Sequence, residues 1–504
     1  MATQATHHTT LEEVNNELTL VRTLTPLQRT ADDDELIDTL EAKKRELQAG
    51  AAADTTGRAP PAPVATPAAP AMDPPPDGGL TAWLVVAGGF LLMFTVFGFV
   101  TGQGQLQAYY LKNQLKHYPR SSVAWIASTQ MALVFMTALL FGRYFDRHGA
   151  LHLVLGGVGL MFGSLIALAS PLCTAEPLRA VSKEFYQILL SHIAFGLGGG
   201  FIYSPATGIA GHWFVKKRPL AISLIVGGGG FGGIVYPIMI RELTNRFKFR
   251  DAILIVAGIN FVLQAPAIFW MKTRLPPRTP PPLKMLLEPW KEKRYVFMVL
   301  GATGVAINLF TPYFNAPVYA ASHTKNKTIN EYSVAFLQVG SCVGRLVGGP
   351  IALKYGIWNT YGTFGFLMSF TIIAMWTGAP VGSAGAVIGL WLFGFTSGAT
   401  ITLTSASMAS ISPIQQIGMR FAMLWTGVGL GVLIGPPIAG KLITIANGDF
   451  KWAGVFCGVT MFVFGWLNVT PGIQNRLRAR RERLADAEKG SGASVDTAVG
   501  VETK

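Results

Sequence analysis

Gly142-Arg-Tyr-Phe-Asp146-Arg147-His-Gly149 lies between two long apolar runs. Two glycines seven positions apart bracket an adjacent acid–base pair, and the frame returns 207 residues later as Gly349-Pro-Ile-Ala-Leu-Lys-Tyr-Gly356. A short charged segment at a membrane surface, present twice, points to a duplicated polytopic protein whose halves move against each other.

Working outward, half of the 504 residues are apolar and 13% are charged, against roughly a quarter charged in soluble domains. Twelve apolar runs reach the roughly 17–25 residues needed to cross a bilayer. The fold class is therefore an all-α membrane protein, with twelve transmembrane helices in two pseudo-symmetric six-helix bundles. Residues 1–81 read as a disordered cytoplasmic tail with an Ala/Pro-rich linker, holding one short amphipathic helix between Asp32 and Arg45. The bundles are 82–271 and 295–472, separated by a cytoplasmic central loop at 272–294, and a basic cytoplasmic tail fills 473–504. Further echoes keep the order of the halves: Phe195-Gly196…Gly200 with Phe393-Gly394…Gly398, and Pro237 with Pro437.

Charge excludes several classes. Residues 1–81 hold six Lys/Arg against thirteen Asp/Glu, whereas 82–472 hold 28 against nine, so the positive charge of a chain with net +14 resides between apolar runs. That distribution suits anionic lipid headgroups and not nucleic acid. The two sides' loops carry fourteen and thirteen basic residues, so the tails decide orientation, and the positive-inside rule puts both termini in the cytoplasm of a multi-pass cell-membrane protein. Cys173, Cys342 and Cys457 have no paired spacing, no metal cluster is legible, and the glycine runs at 198–200 and 227–230 lack the Lys-Ser/Thr of a phosphate loop. No cofactor is expected, nor an enzyme, for want of a nucleophile–base pair.

Several motifs carry a family resemblance. Pro76-Asp-Gly-Gly79…Trp83, the glycine-framed Asp146-Arg147, Gly208…His-Trp213, Ser341-x-x-Gly344-Arg345, Ile411-Ser-Pro…Gly418-Met-Arg420 and Leu433-Ile-Gly-Pro-Pro-Ile-Ala-Gly440 together resemble the major facilitator superfamily. Within it they are similar to the monocarboxylate porter family, its fungal branch especially. The resemblance implies alternating-access transport of small organic acids or related metabolites, often with protons. This chain departs from the animal lactate–proton pattern at Thr101 (a lysine there), Ser341 (an aspartate) and Leu353 (an acid), which puts proton-coupled lactate transport in doubt.

The residues themselves nominate a site. Arg345 is the one basic residue well inside an apolar run, with no carboxylate inside any run, so its natural partner is an anionic substrate held by the guanidinium fork. Gln103, Gln130, Asn260, Asn308 and Gln338 are the desolvated amides expected to face the bundle interior beside it. Tyr313, Trp391 and Trp425 offer planar faces. His192, the sole imidazole in a run, is the proton-coupling candidate. Gly142, Asp146, Arg147 and Gly149 are expected to form a tight cytoplasmic gate loop, with Arg420 and Met419 of span 11 as the facing helix end in the resemblance. Asn326-Lys-Thr328 is a glycosylation sequon. The expected partners are thus a small anionic molecule, protons and the lipid bilayer. Alternatives to organic-acid transport are an exporter of a fungal secondary metabolite and a non-transporting membrane sensor.

Overall fold

The computed structural model describes residues 41, 44, 77–169, 181–214, 217–274, 283–378, 382–413 and 416–474, with side chains withheld at 181–184, 218, 219 and 417. Glu41 and Lys44 are helical; the rest of the N-terminal helix, the Ala/Pro-rich linker, Cys173 and the tail from 475 lie outside the described residues.

Among the described residues, eleven helices are long and apolar enough to span a membrane. They are α1 Leu80–Lys112, α2 Arg120–His148, α3 Leu151–Leu168, α4 Phe185–Trp213, α5 Leu220–Arg246, α6 Phe249–Trp270, α7 Lys293–His323, α8 Lys327–Tyr355, α10 Gly382–Ser410, α11 Gly418–Ile445 and α12 Lys451–Gln474. A twelfth, α9 Ile357–Thr377, has the length but starts with the polar stretch Trp358–Gly362. No strand occurs among the described residues. Most helices outrun the apolar segments that mark them: α1 and α2 continue to Lys112 and His148, because charged, good helix-forming residues prolong a helix into the headgroup layer.

Residues 142–149 depart from the expected loop. Gly142 through His148 is the last stretch of α2, and only Gly149, at φ 80°, stops the helix. The second copy behaves identically: Gly349–Tyr355 is helical and Gly356 stops α8 at φ 84°. Positive φ is where glycine is at home, so one glycine of each frame has a conformational task.

Duplication extends to helix breaks and packing. α1 is interrupted at Gly102 and α7 at Phe310, 208 residues on. Gly196 and Gly200 of α4 bring that helix onto the α2 backbone at Gln130 and Leu133; Gly394 and Gly398 of α10 do the same to α8 at Leu337 and Ser341. The glycine echo seen in sequence is therefore one contact made in each half. Large apolar side chains of α6, α9 and α12, such as Val262, Phe269, Phe370, Trp452 and Trp466, are exposed, as lipid-facing surfaces require. The halves meet along α2–α11, through α5–α8, and where the last turns of α1 touch those of α7.

These contacts give unequal tolerance to a methyl group. A Cβ on Gly435 (α11) would overlap the Ile307 carbonyl of α7, so Gly435→Ala should destabilise the protein by about 3 kcal/mol or more. At Gly142 the nearest neighbour of a Cβ is Ser204 Oγ at 3.9 Å, and the same substitution should be neutral or stabilising by up to about 1 kcal/mol. Thermal unfolding of the two purified variants checks the contrast.

Candidate functional site: the meeting face of the two halves

Six aromatic rings from five helices converge where the halves meet. Phe97 (α1), Phe135 (α2) and Tyr203 (α4) come from one half; Phe310 and Tyr313 (α7) and Trp425 (α11) come from the other. Phe135 stacks on Trp425 with centroids 4.9 Å apart and planes 18° apart. Tyr203 stands edge-on to Phe97, Phe135 and Trp425 at 5.8, 5.6 and 6.3 Å. Phe310 bridges Phe135 at 6.3 Å to Tyr313 at 5.8 Å. The Tyr313 hydroxyl is anchored on Ser397 Oγ of α10 at 2.9 Å. Trp391, also a sequence candidate, stacks instead on its own helix neighbour Phe395.

Arg345 of α8 lies half-buried at this face, within electrostatic reach of Tyr203. No carboxylate pairs with it among the described residues, and its Nε is buried without a hydrogen-bond partner. Gly230 of α5 lies against the guanidinium, a Cβ there falling at contact distance, 3.8 Å, from Nη1. Gln338, two turns earlier on α8, faces the same helix against Gly233. Asn308 is fully buried beside the α7 break; it accepts from Thr311 Oγ1 at 3.4 Å while its own Nδ2 lacks a partner.

The other nominated amides go elsewhere. Gln103, Gln130 and His192 form a buried knot inside the first half: Gln103 Nε2 donates to Gln130 Oε1, and both atoms lie 2.9 Å from His192 Nδ1. The other ring nitrogen, Nε2, is 3.1 Å from the Tyr110 hydroxyl, and Phe99 stacks on the imidazole. Asn260 accepts a hydrogen bond from Tyr236 of α5, and its neighbour Gln264 donates to Thr95 Oγ1 at 2.8 Å. Both fasten α6 to the inside of its own half.

The end of the molecule bearing the α1–α2 and α7–α8 connections holds a charge network that crosses between halves. Arg241 of α5 donates to Glu331 of α8 and, at 2.9 Å, to Glu242. Its guanidinium lies 4.5 Å from the centroid of Tyr332, whose hydroxyl donates to Glu242 at 3.2 Å. Gln105 Nε2 of α1 donates to the Glu331 carbonyl at 2.7 Å. The network is hard to see in the sequence because each residue sits at a helix end, where charges are ordinary; the one signal is the presence of both signs on the same side, at 241–242 and 331.

At the opposite end Asp146 and Arg147 are exposed on the last turn of α2, and the stretch Ala138–His148 packs along α11. Arg420, near the start of α11, is buried and saturated within its own half. It holds both carboxylate oxygens of Glu292, donates from Nε and Nη2 to Gln416 Oε1 at 3.2 and 3.1 Å and from Nη1 to the Ile411 carbonyl at 3.3 Å, and lies 5.4 Å over the Tyr295 ring. Asn326 serves as the N-cap of α8, its Oδ1 accepting from the amides of Thr328 and Ile329.

Comparison with known proteins agrees with this architecture. A family model described as Major Facilitator Superfamily matches residues 84–393. The chain is 33% identical over 393 residues to "MFS transporter asaE" of Aspergillus flavus, covering 77% of this chain and 86% of the relative. It is 33% identical to "Aspyridones efflux protein apdF" of Emericella nidulans, covering 80% of each. It is 30% identical to "Fujikurins efflux protein" of Gibberella fujikuroi, covering 77% of this chain and 82% of the relative. A POT family transporter solved with 5-aminolevulinic acid superposes with a TM-score of 0.62 at 12% identity, over 79% of this chain and 97% of that one, a likeness of fold alone. Two of these relatives are efflux proteins by name and the third an MFS transporter; together they show the superfamily, and none of the three is named a monocarboxylate porter. The helical pairing, the family match and the relatives lead to one conclusion: the chain belongs to the Major Facilitator Superfamily and is a multi-pass membrane transporter of small molecules.

Proposed function

We propose that this transporter exports a planar, largely apolar metabolite carrying one acidic group, across the cell membrane and with both termini in the cytoplasm. The observation that carries this is the set of six rings, three from each half, beside an unpaired Arg345. Aromatic faces contribute contact area and stacking, and the guanidinium supplies a planar fork for a carboxylate or enolate. An acid of two or three carbons would use Arg345 and leave the rings idle. Two of the relatives are efflux proteins by name, which favours export as the direction.

In this orientation the Arg241–Glu331 network is the outer gate. Asp146 on α2 is an inner latch against α11, and Arg147 sits beside lipid phosphate. Asp146→Asn should slow transport several-fold at unchanged protein level. Arg420 acts as a pin within its half. For His192 the role is packing, because both ring nitrogens already have partners. Cells or vesicles loaded with a planar aromatic carboxylate, such as a hydroxynaphthoate, should lose it faster when the protein is present, with lactate failing to compete. Arg345→Lys keeps the charge but loses the fork, and should reduce that efflux about tenfold. Efficient lactate transport, or wild-type efflux of the aromatic acid by the lysine variant, would overturn the reading.

A further inference from the structure

We infer that α8 reads its substrate at two points: Arg345 takes the acidic group, and the Gln338 amide takes a second, uncharged acceptor such as a ketone, lactone or amide carbonyl. This rests on the reading of the meeting face as the substrate site. Gln338, Cys342 and Arg345 occur at i, i+4 and i+7, one stripe of the helix. The stripe faces α5, where Gly230 and Gly233 replace side chains that would otherwise fill the space; a Cβ on Gly233 would come within 2.7 Å of the Gln338 amide carbon.

Both ends of the stripe keep a buried donor unused. Gln338 is 1% exposed and its Nε2 has no partner; Arg345 Nε has none either. A buried amide donor usually finds a partner inside its own protein, as those of Gln103 and Gln264 do here. Two unspent donors on one stripe, at an interface that must part during transport, are instead satisfied by what enters between α5 and α8. Seven residues at 1.5 Å rise separate them by about 10.5 Å along the helix. The preferred substrate therefore carries its carbonyl about that far from its acid, across a flat body.

The test is calorimetric titration of the full-length protein in lipid nanodiscs with two probes. 4′-Acetylbiphenyl-4-carboxylate has its acyl carbon about two ring lengths from the carboxylate; biphenyl-4-carboxylate lacks the acyl group. The wild type should bind the first roughly five- to tenfold more tightly, the worth of one buried hydrogen bond. Gln338→Met keeps the length and removes the donor, and should bring the ratio to about one. Gln338→Glu, which offers an acceptor to an acceptor, should invert it, and either variant suffices if the other does not fold. A wild-type ratio near one, or a ratio that survives both substitutions, overturns two-point reading alone. Failure of either carboxylate to bind overturns the substrate-site reading as well.

Discussion

Glu331→Gln should loosen the α1–α2 end of the molecule and lower transport by roughly five- to a hundredfold. The Arg241–Glu331 pair joins the two halves, and the side chains are only 14% and 21% exposed, so solvent screens it weakly. Charge-assisted hydrogen bonds of this kind contribute about 1.5–3 kcal/mol. A coupling of that size between two conformations shifts their ratio by about one to two powers of ten. Arg241 would retain Glu242 and the Tyr332 ring, which keeps the loss short of complete unlatching. Hydrogen exchange should accelerate over the last turns of α5 and the first turns of α8, the segments this pair holds together, and not in α3 or α12. The exchanged pair Arg241→Glu with Glu331→Arg should recover part of the transport. Unaltered exchange with Glu331→Gln and no recovery in the exchanged pair would remove this network from the gating scheme.

Arg420→Leu should cost stability where Glu331→Gln costs function. The Arg420 side chain is 2% exposed, and its guanidinium binds Glu292, Gln416 and the Ile411 carbonyl at once, tying the start of α11 to the start of α7 and the α10–α11 turn. Removing one partner of a buried pair costs about 3–5 kcal/mol when the other is stranded. Glu292 is 49% exposed and can turn to water, so about 2–3 kcal/mol is expected here. The melting temperature in detergent should fall by several degrees. Glu292→Gln added to Arg420→Leu should cost much less than the two changes separately, since they act through one contact. Full additivity would mean that Arg420 stabilises through its other partners alone.

Much of the fold is legible in the sequence because lipid imposes long apolar runs, and those runs mark each helix. Their ends are not legible: α5 runs on to Arg246 and α2 to His148, where polar residues continue a helix that hydropathy has stopped marking. α9 is the weakest signal for the complementary reason, since its first turns are polar while buried against the protein. Gly142 misleads as a turn signal; glycine in a membrane helix as often makes room as it makes a bend. Arg345 and Gln338 can be found from sequence because charge and amides inside an apolar run demand explanation. The rings cannot. Phe97, Phe135, Tyr203, Phe310 and Trp425 are a few of many aromatics in apolar runs, others of which, such as Phe269, Phe370 and Trp466, are exposed, and nothing in composition says which aromatic faces its partner half. Asn260, Gln103 and His192 show the converse limit: polarity brings a side chain indoors without choosing the room.

The even division of the ring cluster has a consequence for inheritance. Neither half would own the proposed recognition surface, because each half supplies three of the rings and the Arg345 stripe on one half faces its glycine wall on the other. A chimera that joins the first six helices of this protein to the last six of an efflux relative would therefore present a hybrid chamber, with a substrate range that neither parent has. Selectivity in such a molecule can drift by changes on one side at a time, while the other side keeps a foothold on the old cargo.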